Sequence, residues 1–208
     1  MNLSFQNRIL FGFGTILFVM VLVAVVVFFG VRSLGKSFEW VDHTHRVLDK
    51  ASQVTAAAVD METGMRGFLL AGKDEFLEPY NSGKTRFYDL IDELKVTVSD
   101  NPAQVELLSE IDSIISSWDE VIVQHQIETR RGVGFSLDMD DVAALVGEAR
   151  GKAYFDNFRV KIQEFKDRER LLMVTRMASF RQSEQFVVTS TILGTLIAFI
   201  IGIYISVM

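Results

Sequence analysis

Glu62 and Arg66 lie one helical turn apart, acid first, in the stretch Asp60–Tyr80, DMETGMRGFLLAGKDEFLEPY. That order and spacing is the better orientation for a helical ion pair, worth a few tenths of a kcal/mol (about 0.2–0.5) on a solvated face. A partly buried pair is different, because removing one partner then costs roughly 3–5 kcal/mol. Asp156 and Arg159 repeat the theme three residues apart. If their helices adjoin, Glu62, Arg66, Asp156 and Arg159, with Thr63 beside them, form one polar network. Such a network fixes helix register, the quantity a piston or rotation signal changes, although a purely structural network has the same residues.

Other residue types that do chemistry are poorly spaced for it. His43 and His45 point to different faces, whereas two zinc-binding histidines on one helix need i, i+4 spacing. His125 has no neighbouring ligand pair. No cysteine occurs, which removes thiol nucleophiles, thiolate metal sites and disulfides. Gly64, Gly67 and Gly72 make no phosphate loop, since no strand precedes them and no Gly-Lys-Ser/Thr follows. Asp138, Asp140 and Asp141 suit a solvated helix start. Trp40, Trp118 and the 17 phenylalanines suit core packing better than a ligand cavity. These readings give no catalytic residue, no metal ligand, no cofactor and no identified ligand-binding set.

The elements that must position these residues read as helices. Only two prolines occur and 49% of the chain is hydrophobic, which favours long helices over sheet. Leu34, Phe38, Val41, His45, Leu48, Ser52, Thr55, Val59, Glu62, Arg66 and Leu69 alternate steps of four and three, a heptad row. Its polar upper positions suit a meeting of two protomers. A helix from Leu34 to Ala71 is about 57 Å long. Gly72 then suits a corner with positive φ, Asp74 an N-cap for a helix from Glu75, and Pro79 that helix's first turn, followed by Tyr80. Phe76, Tyr80, Phe87, Leu90, Ile91 and Leu94 form the apolar face of this second helix. Asn101 and Pro102 start a third, carrying Val105, Leu108, Ile111, Ile115, Trp118, Ile122 and His125, which Gly132 and Gly134 end. The fourth starts near Ser136 and runs through Tyr154, Phe155, Phe158, Ile162 and Phe165, with a weak spot at Gly147 and Gly151. The expected fold is all-α, an antiparallel up-down-up-down four-helix bundle with two flanking transmembrane helices.

The flanks come from two apolar runs. Ile9–Val31 carries no charge and spans about 34 Å as a helix, enough for a bilayer. It is longer than a signal-peptide core and lacks a small-x-small site before Arg32. Phe186–Val207 repeats the pattern. The expected organisation is an amino-terminal tail 1–8, a span 9–31, a bundle 32–185 and a span 186–207. Only Arg8 of the 21 basic residues lies outside the bundle, leaving 20 against 27 acidic residues, a balance of −7. That argues against a nucleic-acid partner. Charge near the spans does not fix orientation.

Asp60, Glu62, Thr63, Gly64, Arg66, Gly67, Phe68, Leu69, Leu70 and Gly72, then Phe76, Leu77, Pro79 and Tyr80, resemble the CHASE3 family pattern acid-x-E-T-G-x-R-G-aromatic-L-L-x-G followed by aromatic-L-x-P-Y. Trp40–Val41 with His43 and Thr44 is similar to its segment after the first span. Gly151-Lys152 with Asp156, Arg159 and Glu169 is a third match. CHASE3 is an extracytoplasmic sensory domain of bacterial chemoreceptors, histidine kinases and cyclic-di-GMP enzymes. The resemblance implies a cytoplasmic amino terminus and a periplasmic bundle on the inner membrane. It also implies a homodimer and a small-molecule or protein signal. Beyond the second span it implies a HAMP helix pair and an output domain, working through a CheA/CheW-type kinase complex in a methyl-accepting chemotaxis protein. The chain ends at Met208 without these, so it is expected to be the input region of a longer receptor. The alternatives are the input region of a sensor histidine kinase or diguanylate cyclase, or a stand-alone two-span protein that binds a membrane partner.

Overall fold

The computed structural model describes residues 5–207; Met1–Ser4, part of the expected tail, lie outside the described residues. Helix α1 spans Phe5–Ala71, a 3₁₀ turn Asp74–Leu77, α2 Glu78–Thr97 and α3 Pro102–Trp118. A π-helical turn Asp119–Val123 leads into α4, Gln124–Gly132, followed by α5, Met139–Gly147, and α6, Arg150–Val207. No strand occurs among the described residues; Val133 and Leu137 make an isolated bridge. The chain divides into two compact units, Thr44–Leu171 and the flanking segments up to His43 and from Leu172.

Thr44–Leu171 is an antiparallel four-helix bundle whose neighbours can be read from the bonds between them. Lys50 of α1 pairs with Glu93 of α2 at 2.6 Å, and Lys95 of α2 with Asp112 of α3 at 2.7 Å. Lys161 of α6 pairs with Glu110 of α3 at 2.6 Å, and Lys166 of α6 donates to Thr55 Oγ1 of α1 at 3.0 Å. The ring of four closes around Phe68, Phe87, Trp118, Phe155, Phe158 and Phe165, all fully buried. Their contacts are edge-to-face, as aromatic quadrupoles prefer: Trp118–Phe155 at 4.9 Å and Phe87–Phe158 at 6.2 Å.

The buried face of α1 is not the expected heptad row. Val47, Ala51, Val54, Ala58, Met61, Met65 and Phe68 point into the core, one residue before each expected position. Of the expected row Val41 and Leu69 are buried, His45, Ser52, Val59 and Arg66 are exposed, and Leu48, Thr55 and Glu62 are half-buried. Both rows satisfy the same 3–4 spacing, and the inner one is disguised by alanines that let neighbouring helices come close. Tyr80 and Gly64 mark that approach: a Cβ on Gly64 would stand 2.5 Å from the Tyr80 backbone nitrogen.

Five further expectations are corrected. The second helix does not begin at Glu75 under an Asp74 cap. A 3₁₀ turn precedes it, the Asp74 carboxylate accepts no capping bond, and Pro79 sits in the first turn of α2. Phe76 lies against Gly67 and stays 42% exposed. His125 is exposed and Gln126 and Ile127 turn inward, because the i→i+5 bonding of the π turn adds a residue to the repeat. The fourth helix is broken where two glycines weaken it: Ala149, at φ 57°, separates α5 from α6. Asn101 precedes α3 without a side-chain cap, whereas Asp138 caps α5 in a reciprocal box with Asp141.

In the other unit, α1 and α6 are long and apolar enough to cross a membrane. Phe13, Leu17, Phe18, Phe28, Ile192, Leu196 and Phe199 expose half or more of their surface. Glycines let the two helices meet, since a Cβ on Gly30 would stand 2.7 Å from Val187 and one on Gly194 would collide with Val23. Arg176 lies over the Trp40 ring at 4.7 Å, and Phe38 meets Phe180 at 6.4 Å.

Replacing Gly64 by alanine is expected to lower stability by roughly 1–3 kcal/mol, the range for overpacking. Chemical unfolding of the full chain in detergent, followed by far-ultraviolet circular dichroism, checks this; an unchanged midpoint contradicts the close crossing.

Candidate functional site

The end of Thr44–Leu171 where α1 turns into α2 gathers two polar clusters. Glu62 and Arg66 of α1 and Asp156 and Arg159 of α6 come together there. Arg66 Nη2 reaches Glu62 Oε1 at 2.6 Å, Arg159 Nη2 reaches Glu62 Oε2 at 3.7 Å, and Arg159 Nη1 reaches Asp156 Oδ1 at 3.1 Å. Lys152, one turn before Asp156, is a fifth member, its ammonium bonded to that carboxylate. The Lys152 hydrogen bond, foremost, holds the Asp156 carboxyl below its ordinary value. Glu62 is 12% exposed, but Arg66 is 64% exposed and not the partly buried group its spacing implied. The heptad row it belongs to is the outer one. Thr63 is exposed as well.

The corner above uses residues that spacing alone did not suggest. Gly72 has φ 68° and donates its N–H to Phe68 O at 2.8 Å, closing α1 in a left-handed cap. Arg130 of α4 donates Nε to Leu69 O at 2.8 Å, and its guanidinium fills the place a Gly72 side chain would take. Arg131 lies over the Phe68 ring at 5.7 Å and bonds Asp74 at 3.1 Å. So Asp74 pairs with a cation instead of capping a helix. The basic last turn of α4 was the available signal, since cations suit a helix C-terminus.

Tyr80 anchors a second cluster. It is 5% exposed and donates its hydroxyl to Asp119 Oδ1; Gln124 donates to the same hydroxyl at 2.8 Å. Lys84 bonds the other oxygen, Asp119 Oδ2, at 2.6 Å. Asp119, 4% exposed, opens the π turn, a feature that often marks functional positions. Burial first, and then the Asp119 bond, push the Tyr80 phenol up from its ordinary 10.0. Sequence reasoning assigned Tyr80 to the corner and missed Asp119, which looks like one more acid on a helix.

Between the two clusters lies a cavity of about 340 Å³. Met65 and Leu69 of α1, Trp118 of α3 and Phe155 of α6 form its apolar wall, with Val146, Ala149 and Gly151 at the α5–α6 break. Gln126 of α4 enters it, and Glu62, Arg66, Lys152 and Arg159 rim it. Trp118 and Phe155 therefore serve as core and as cavity wall at once. Among the described residues no group of histidines and carboxylates is placed to hold a metal ion; His43 packs edge-on to Trp40 at 5.6 Å, and His45 and His125 are exposed.

Because the Tyr80 phenol is raised, its stabilising contribution is complete below pH 10.0 and is lost as pH rises through the folded value. Tyr80→Phe is expected to cost roughly 1–3 kcal/mol by leaving Asp119 and Gln124 short of a partner. It should also remove the last tyrosinate to appear in an alkaline absorbance titration. A variant as stable as the parent, with the late step retained, contradicts the cluster.

Residues 37–179 match the CHASE3 domain. The sensor domain of histidine kinase HK9 from Rhodopseudomonas palustris shares the fold, with a TM-score of 0.55 and 20% identity over 63% of this chain and 98% of that one. No curated protein matches the chain. The match covers well over half of the sequence and includes the Asp60–Tyr80 corner with Tyr80 and all five members of the α1–α6 charge network. The chain belongs to the CHASE3 family of sensory domains.

Proposed function

We propose that the chain is the signal-receiving, membrane-crossing input region of a bacterial chemoreceptor of the methyl-accepting type. In this reading the amino terminus is cytoplasmic and the bundle periplasmic. The second span returns across the inner membrane to a HAMP helix pair and an output domain that controls a CheA/CheW-type kinase complex. The chain performs no catalysis itself. It acts as a homodimer, for which the exposed heptad row of His45, Ser52, Val59 and Arg66 is a candidate face.

One observation carries the reading. The helices that contain the apolar spans, α1 and α6, are the same two that Glu62 and Arg159 tie together within the bundle. A stimulus that shifts α6 along α1 by an ångström or two alters that 3.7 Å contact, which suits helix displacement as the signal. A second reading, the input region of a sensor histidine kinase, is favoured by the shared fold with the HK9 sensor domain.

An antibody against the bundle should detect, in membranes of the source organism, a protein well above 23.5 kDa, roughly double or more for an added output domain of ordinary size. A band at 23.5 kDa overturns the receptor reading and leaves a two-span partner-binding protein. Labelling with methyl-tritiated S-adenosylmethionine then separates the two receptor types. Incorporation into the band supports the chemoreceptor, and its absence with autophosphorylation from ATP supports the kinase.

A further inference from the structure

We propose that the cavity beside the α5–α6 break binds a small monocarboxylate with an apolar body. The proposal rests on the sensory reading in giving the cavity a signal ligand. At about 340 Å³ the cavity lies at the lower end of the size of ligand pockets, roughly 300–1,000 Å³. That suits one ring and a short acid group.

Three features define the occupant. The wall of Met65, Trp118 and Phe155 is apolar and packed nearly free of solvent, with exposures of 5%, 1% and 1%; the two rings stand edge-to-face and back the cavity as one apolar surface. Gln126 is 8% exposed as a residue, but its amide atoms are open to solvent and make no hydrogen bond among the described residues. That amide lines the cavity and is free to donate to or accept from an occupant.

The third feature is charge. Arg66, Glu62, Arg159, Asp156 and Lys152 form a chain of alternating sign that begins and ends with a cation. Three positive groups therefore face two carboxylates, and all three cations border the cavity. Each is more than half exposed, so its remaining N–H groups are accessible. One carboxylate completes the balance. A neutral ligand leaves the excess unmatched, and a phosphate brings more charge and a larger desolvation cost against an aromatic wall. The α6 N-terminus, at Arg150 and Gly151, adds the positive end of a helix dipole at the same edge.

The test uses the full chain in nanodiscs, titrated calorimetrically with benzoate and phenylacetate and, as neutral isosteres, benzamide and phenylacetamide. Saturable binding of a carboxylate with Kd at or below about 1 mM is expected. The matching amide should bind at least about ten-fold more weakly, the scale of a lost charge-assisted hydrogen bond. Arg66→Gln and Lys152→Gln, both at exposed positions, should weaken binding while leaving the unfolding midpoint in place. Gln126→Leu should weaken it about ten-fold or more. No saturable heat with either carboxylate overturns the proposal, as does equal affinity for acid and amide. Unchanged affinity in the folded Arg66→Gln, Lys152→Gln and Gln126→Leu variants also overturns it, by placing the ligand elsewhere. The titration requires no output domain. A null result on a protein that proves methyl-accepting removes the carboxylate site alone, and carboxylate binding by a 23.5 kDa protein removes the receptor reading alone.

Discussion

Asp119 takes its carboxylate into the bundle at 4% exposure, and a charge so placed persists only when its lone pairs are filled. Tyr80 and Lys84 of α2 and Gln124 at the start of α4 surround it. That requirement ties the corner helix to the π turn and sets the phase in which the chain leaves it. Trp118, the residue before Asp119, then faces Phe155, and Gln126 turns inward where His125 would otherwise stand. One turn on, Arg130 reaches the Leu69 carbonyl near the end of α1. The cavity wall and the corner both follow from how one buried acid is satisfied.

The charge chain between α1 and α6 is of another kind. Its cations are largely exposed, and exposed pairs are worth roughly 0–1 kcal/mol each. Stability therefore rests on the aromatic core more than on these pairs. Glu62 is the pivot, half-buried and shared by Arg66 on its own helix and Arg159 on the facing one, the former at 2.6 Å and the latter at 3.7 Å. A contact already longer across the helices than along one is suited to respond to relative movement without unfolding anything.

The residues show where reading a chain succeeds and where it stops. Helix identity was legible because few breakers occur and the 3–4 spacing is sustained. Gly72, Pro79 and Pro102 marked boundaries for reasons local to the backbone. The phase of α1 was not legible. Two heptad rows run side by side, and the row ending Glu62, Arg66, Leu69 contains larger or more conspicuous residues than the row of Ala51, Val54 and Ala58 that is buried. Only the approach of α2, allowed by Gly64, selects between them. Asp119 escaped notice for a similar reason, since nothing in its neighbours announces burial.

The amino-acid sequence by itself determined the all-helical class, the two apolar runs, the glycine corner and the local pairs Glu62–Arg66 and Asp156–Arg159. Each of these depends on interactions within a few turns or on composition. Tertiary structure alone decided which face of α1 is core, that α5 breaks from α6 at Ala149, that Tyr80 holds Asp119, and that Gln126 enters a cavity rimmed by three cations. Those outcomes join residues tens of positions apart, and their energies depend on the low dielectric and close packing that exist only once four helices have met.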